Sequence, residues 1–169
     1  MKPKLFAEET NSLLAFLLAV LLLTFESVAE QSVREFGVSG TGFVVETKGA
    51  DTYILTNEHV IHEATNIKVI IGAQEFFARL VGVHPEHDLA LLTCSGSGLP
   101  TIALGDSDEV QVGDSVVAIG CPEGRCGTVT VGRVANLHQT VTFGDRTLHN
   151  LIMIDVKITH GSSGGPLLN

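Results

Sequence analysis

From Gly40 onward, apolar residues come in short runs separated by glycine or by acidic and polar turns. Runs of this kind, rich in Val, Ile and Phe and bounded by turn formers, are the mark of β-strands. They predict strands at Phe43–Glu46, Thr52–Thr56, Ile67–Ile71, Glu75–His84 and Leu89–Thr93. Ser95–Pro100 reads as a loop and Leu104–Asp108 as a polar turn. A second set of strands is then predicted at Val110–Val112, Ser115–Ile119, Thr128–His138 and Leu148–Val156. Beyond the amino-terminal region no stretch sustains helical periodicity. Many short strands broken by turns indicate an all-β sandwich or barrel, and two sets joined near residues 104–110 suggest two small barrels. The pattern alone leaves sandwich and barrel open.

The amino terminus has a different pattern. Leu13–Phe25 is apolar except for Thr24, and its thirteen residues fall short of the ~20 that a spanning helix needs. Lys2 and Lys4 precede it, and Ser27 and Ala29 supply small residues behind it. This is the layout of a hydrophobic leader helix in a signal peptide, with cutting expected after Ala29. Glu8 and Glu9 offset the two lysines, which keeps open an uncleaved membrane anchor through residues 13–25. A buried helix of the fold is disfavoured, because the run is apolar on every face. Either targeting reading carries the rest of the chain out of the cytoplasm.

With 169 residues, the chain suits one domain or two small subdomains. It carries 10 Lys plus Arg against 19 Asp plus Glu, a formal charge of −9, so it lacks the basic surface that nucleic-acid binding requires. Three cysteines are too few for a disulfide-built scaffold.

The last nine residues, Gly161-Ser-Ser-Gly-Gly-Pro-Leu-Leu-Asn169, carry the most chemistry. A serine hydroxyl becomes a nucleophile when a base takes its proton, and the attacked carbonyl then needs donors for its negative charge. Glycines beside the serine let backbone N–H groups turn toward that charge. Ser162 and Ser163 are both candidates, and Ser163 is preferred because Gly164 and Gly165 follow it. The segment also fits the G-x-S-x-G elbow of α/β-hydrolases, whose acid and histidine follow the serine. Only six residues follow Ser163, none of them His, Asp or Glu, so that reading fails on order. Base and acid must lie upstream. His59, just past the strand Thr52–Thr56, and Asp88, at the head of Leu89–Thr93, give the order His59, Asp88, Ser163 of a chymotrypsin-type triad.

These residues sit in a longer pattern. Ser39-Gly-Thr-Gly-Phe-Val-Val, Leu55-Thr-Asn-Glu-His-Val-Ile61, Asp88-Leu-Ala-Leu-Leu, Leu104-Gly-Asp-Ser-Asp108, Val112-Gly-Asp-Ser-Val-Val-Ala-Ile-Gly120 and Gly161-Ser-Ser-Gly-Gly-Pro-Leu167 follow one another as in HtrA/Deg serine proteases. The resemblance covers residues 39–169. It implies a chymotrypsin-like double β-barrel, the active site between the barrels, and endoproteolysis of unfolded or damaged proteins outside the cytoplasm. It implies no metal and no organic cofactor, and homotrimer assembly is a family expectation. His59 matches the family's base, Asp88 its acid and Ser163 its nucleophile. The backbone N–H groups of Gly161 and Ser163 match its oxyanion-hole donors.

The chain departs from the family in places. Ser162 stands where the family has Asn, and His160 where it commonly has Pro. Relatives continue past Gly-Gly-Pro-Leu with strands that close the second barrel and wall the specificity pocket, and many add a PDZ domain. The expected organisation is thus a leader over 1–29, a first barrel over 30–105 with His59 and Asp88, and an incomplete second barrel over 106–169 with Ser163. An open barrel edge raises a rival reading, a non-cleaving homologue or chaperone-like binder of unfolded chains. A membrane-anchored structural subunit is a third reading, resting on the leader alone.

Cys121 and Cys126, five apart in Cys-Pro-Glu-Gly-Arg-Cys, are a candidate disulfide, with free thiols the alternative, and Cys94 reads as a buried apolar residue. A zinc site drawn from His84, His87 and a cysteine pair is a weak signal at this spacing. His62, His138 and His149 read as solvated, and Asp106–Glu109 as a turn without calcium-loop spacing.

Overall fold

The computed structural model describes residues 20–25, 38–96, 98–144 and 146–169. Among the described residues ten strands form two sheets: β1 (Val20–Phe25), β2 (Val38–Lys48), β3 (Asp51–Thr56), β4 (Ile67–Ile71), β5 (Gln74–His84) and β6 (Leu89–Ser95) in one, β7 (Ser115–Gly120), β8 (Thr128–Phe143), β9 (Arg146–Ile154) and β10 (Leu167–Leu168) in the other. A one-turn helix, α1 (Glu58–Ile61), follows β3.

The first sheet closes into an antiparallel barrel in the order β1-β2-β3-β6-β5-β4. Its strands alternate as the pleat requires. In β3, Thr52, Ile54 and Thr56 are buried; in β4, Ile67, Val69 and Ile71; in β6, Ala90, Leu92 and Cys94. With Val44, Val60 and Ile61, all of these but Thr52 and Thr56 form one apolar core, and Cys94 belongs to it as the sequence suggests. The connector to the second sheet is fastened to this barrel, since Ile102 N donates to Val44 O at 2.8 Å.

The second sheet is open, in the order β10-β7-β8-β9. The long hairpin of β8 and β9 has three register shifts, at the bulges that bend it. The fold is therefore all-β and chymotrypsin-like, with one closed barrel and a second that is only a curved sheet, as expected.

Two expectations change. Val20–Phe25, expected as the end of a leader helix, is an extended strand that pairs with β2 over six residues and with β4 over three. Without it β2 and β4 would each present an unpaired edge, and an apolar run fits a barrel wall as well as it fits a helix. The rest of the leader reading, including the cut after Ala29, lies outside the described residues. Among the described residues no helix is long and apolar enough to cross a membrane. Val110–Val112, expected as a strand, is a turn instead. Val110 N donates to Ser107 O at 3.3 Å and Gln111 N to the Asp114 carboxylate at 2.8 Å, so the local polar groups capture the backbone.

Candidate active site

The chain turns sharply after β3 and after β5, and these two turns lock together. Asp88 ends the 3-10 turn Pro85–His87 in a left-handed conformation, φ 53°, with its N–H on Pro85 O at 3.1 Å. Asp is one of the few side-chain-bearing residues that accept this geometry at modest cost. The turn aims both ends of Asp88 at α1. Its carbonyl accepts from Glu58 N at 3.1 Å and from Asn57 Nδ2 at 2.8 Å. Its carboxylate accepts from His59 N at 2.8 Å through Oδ1 and meets His59 Nδ1 at 2.6 Å through Oδ2. Two backbone and two side-chain contacts thus fix the imidazole, whose other face is open: the His59 side chain is 49% exposed and that of Asp88 15%.

The Ser163 loop is fastened to the first barrel beside this pair. Ser163 O accepts from Thr41 N at 2.7 Å. Thr41, fully buried, donates its hydroxyl to Gly161 O at 2.6 Å, and Thr41 Oγ1 itself accepts from Cys121 N at 2.9 Å. Its carbonyl accepts from the Thr56 hydroxyl at 2.7 Å. One threonine therefore ties β2, β3, the end of β7 and the serine loop together. Packing there is close. A side chain at Gly164, where φ is +84°, would collide with Thr41 O and Thr56 Oγ1, and one at Gly161, φ +92°, would lie 2.5 Å from Cys121 O. Only glycine fits at these two places.

The structure thus joins His59 to Asp88 and seats the serine loop on the same barrel, with Gly164 against Thr56 and Asn57. Among the described residues, Ser163 Oγ makes no hydrogen bond to His59, a contact that often tightens only when substrate binds. Neither Gly161 N–H nor Ser163 N–H is used in a backbone bond among the described residues, which leaves both available to a ligand. Ser162 N–H, by contrast, donates to Thr159 O at 3.1 Å. Cys121 and Cys126 are joined by a disulfide in the loop that backs Gly161.

Three contributors were not foreseen. Thr41 lies inside the Ser-Gly-Thr-Gly motif, where a polar residue between two glycines was the available signal. Glu58 is buried, its side chain 8% exposed, and it accepts from Arg146 Nη1 at 2.6 Å and contacts His62 Nδ1 at 2.6 Å. The Arg146 guanidinium holds the Glu58 carboxyl below its ordinary range, and His62 helps, against the opposing effect of burial. Arg146 comes from the start of β9, 88 residues away, so no local pattern signals it. His62 is accordingly a partner of Glu58 and not merely solvated.

Residues 40–169 match the family of trypsin-like peptidase domains. The chain belongs to the trypsin-like peptidase family. Within it the likeness runs to HtrA-type proteases. The chain is 42% identical over 137 residues to a probable periplasmic serine endoprotease, DegP-like, of Ectopseudomonas mendocina, a match covering 80% of this chain and 28% of the relative. A protein of the same description from Chlamydia trachomatis is 41% identical over 137 residues, covering 78% of this chain and 26% of the relative. The HtrA-type protease AlgW, solved with a tripeptide, superposes with a TM-score of 0.75 at 35% identity, over 88% of this chain and 46% of that one. AlgW with a decapeptide gives 0.72 at 30% identity, over 89% and 52%. The chain thus spans little more than a quarter of the length of these curated relatives.

Proposed function

We propose that this chain is the protease region of an HtrA-type serine endopeptidase, with His59 as base, Asp88 as orienting acid and Ser163 as nucleophile. The observation that carries the reading is the 2.6 Å contact of His59 Nδ1 with Asp88 Oδ2, held beside a serine loop that is itself tied to the same barrel by Thr41. With Nδ1–H on the carboxylate, the Nε2 lone pair is left to take the Ser163 hydroxyl proton as Oγ attacks a peptide carbonyl. Gly161 N–H and Ser163 N–H receive the developing oxyanion. His59 then passes its proton to the leaving amine, and water repeats the sequence on the acyl-enzyme. A groove lined by Ile119, Ile154 and Ile158 beside Ser162 supports an aliphatic side chain next to the cut bond. Relatives named as periplasmic endoproteases and a neighbour solved with peptides support polypeptide substrates and an extracytoplasmic location, while unfolded or damaged chains as targets and a homotrimer rest on the family resemblance alone.

The test is labelling by a fluorophosphonate probe, which needs an activated serine and formed oxyanion donors. Label present in the chain and absent from Ser163→Ala is the expected result; label that survives the substitution overturns the assignment. The open second sheet, with Val129, Val131 and Met153 exposed, favours one rival, a binder of unfolded chains that does not cleave. Capture of a denatured protein without turnover, unchanged by Ser163→Ala, would establish it.

A further inference from the structure

The turn that delivers Asp88 carries a second cluster. His84 Nδ1 and His87 Nδ1 lie 3.0 Å apart, with ring centroids 4.5 Å apart in a T-shaped arrangement. The Glu86 carboxylate joins them, all three ligand atoms falling within 4.8 Å of one another. We propose that His84, Glu86 and His87 form a site for one first-row transition cation, Zn²⁺ in particular, that braces the turn holding Asp88.

The chemistry of the donors points to such a cation. Two imidazoles and a carboxylate are a borderline-soft set that suits Zn²⁺, Ni²⁺ or Cu²⁺ and discriminates against Mg²⁺ and Ca²⁺, which take oxygen ligands. Two Nδ1 atoms facing each other can share only one proton, whereas a cation uses the lone pair of each. Tetrahedral zinc with bonds of ~2.0–2.1 Å sets its ligand atoms about 3.3 Å apart. The two histidines already approach this separation, and the exposed Glu86 side chain reaches it by rotation about its own bonds. Pro85 fixes the backbone between the histidines. Three protein ligands leave the fourth position to water, in the open groove that Glu86 and His87 share with Thr147 and His149 of β9. Because Asp88 N bonds Pro85 O, the ligands and the orienting acid belong to one hydrogen-bonded turn, so a cation that joins the ligands stiffens the seat of Asp88.

The test does not depend on cleavage and uses the Ser163→Ala chain, which cannot digest itself. ZnCl₂ is titrated in competition with a chromogenic chelator. One equivalent is expected to bind; His84→Ala and His87→Ala, both changes of exposed side chains, are each expected to weaken binding about tenfold or more, while His138→Ala leaves it unchanged. Absence of stoichiometric uptake, or uptake that survives both substitutions, overturns the proposal. Hydrogen exchange gives the second measurement. Zn²⁺ is expected to slow exchange of the amides from Glu86 to Leu89 in the Ser163→Ala chain and not in its His87→Ala derivative. Equal exchange with and without the cation overturns the bracing role.

Discussion

At the scale of single residues, buried hydroxyls and carboxylates hold the site together. Thr41→Val keeps the side-chain shape but leaves Gly161 O without a donor and Cys121 N without an acceptor. Such orphaned groups cost about 1–3 kcal/mol each, so a loss of about 2 kcal/mol or more in denaturant unfolding is expected, with weaker fluorophosphonate labelling. Glu58 makes a pH-dependent contribution. Its folded-state pKa lies below the ordinary value of 4.5, so the unfolded chain binds more protons in that range. The stabilisation is complete above about pH 4.5 and is lost as the pH falls through the lowered folded value. Unfolding free energy measured from pH 6 down to 3 should therefore drop more steeply for the native chain than for Glu58→Gln. Arg146→Ala leaves the buried carboxylate with His62 alone, and a loss of stability is expected in the same measurement. The pairing of His59 with Asp88 could be anticipated from the sequence only through the motif resemblance, since chain order excluded no more than the elbow reading. Arg146 could not be anticipated, because an ion pair spanning 88 residues leaves no local spacing to read.

At the scale of elements, hydrophobic pattern located most strands and misplaced those whose partners decide their form. Ile67–Ile71 and Leu89–Ser95 alternate buried and less buried positions, so periodicity sufficed. Val110–Val112 has the composition of a strand but lies between Asp106 and Asp114, whose carboxylates take backbone N–H groups and close turns. Leu167–Leu168 is a strand only because Ala118 and Val117 lie opposite, which no two-residue pattern can announce. The serine loop is the element most exposed to substitution. Gly164→Ala places a methyl group against Thr41 O and Thr56 Oγ1 at a positive φ. We expect destabilisation of about 3 kcal/mol or more and no probe labelling, checked by denaturant unfolding and by the fluorophosphonate assay.

For the whole molecule, the decisive element is the one that reads least like a strand. Val20–Phe25 has no polar alternation, so the sequence favours a helix, yet it bonds both β2 and β4 and completes the barrel on which His59 and Asp88 sit. A chain beginning at Glu30 would lack β1. Its thermal midpoint should fall well below that of the full chain, and its probe labelling should decline in parallel; equal midpoints would show that β1 contributes nothing to the barrel. The second sheet is open already, and although Val116, Ile119 and Val134 are buried, Val129, Val131 and Met153 face solvent.

The hydroxyl of Thr41 meets Gly161 across 120 residues and Cys121 across 80. Contacts of such separation are the slowest to form, because chain closure must precede them. The serine loop thus acquires its shape only after both sheets have docked. With Ser163 in its proposed role, a newly made chain would pass through its vulnerable, half-folded stage before it could cut its siblings. In a refolding time course, reactivity toward the probe should lag behind the appearance of β-structure.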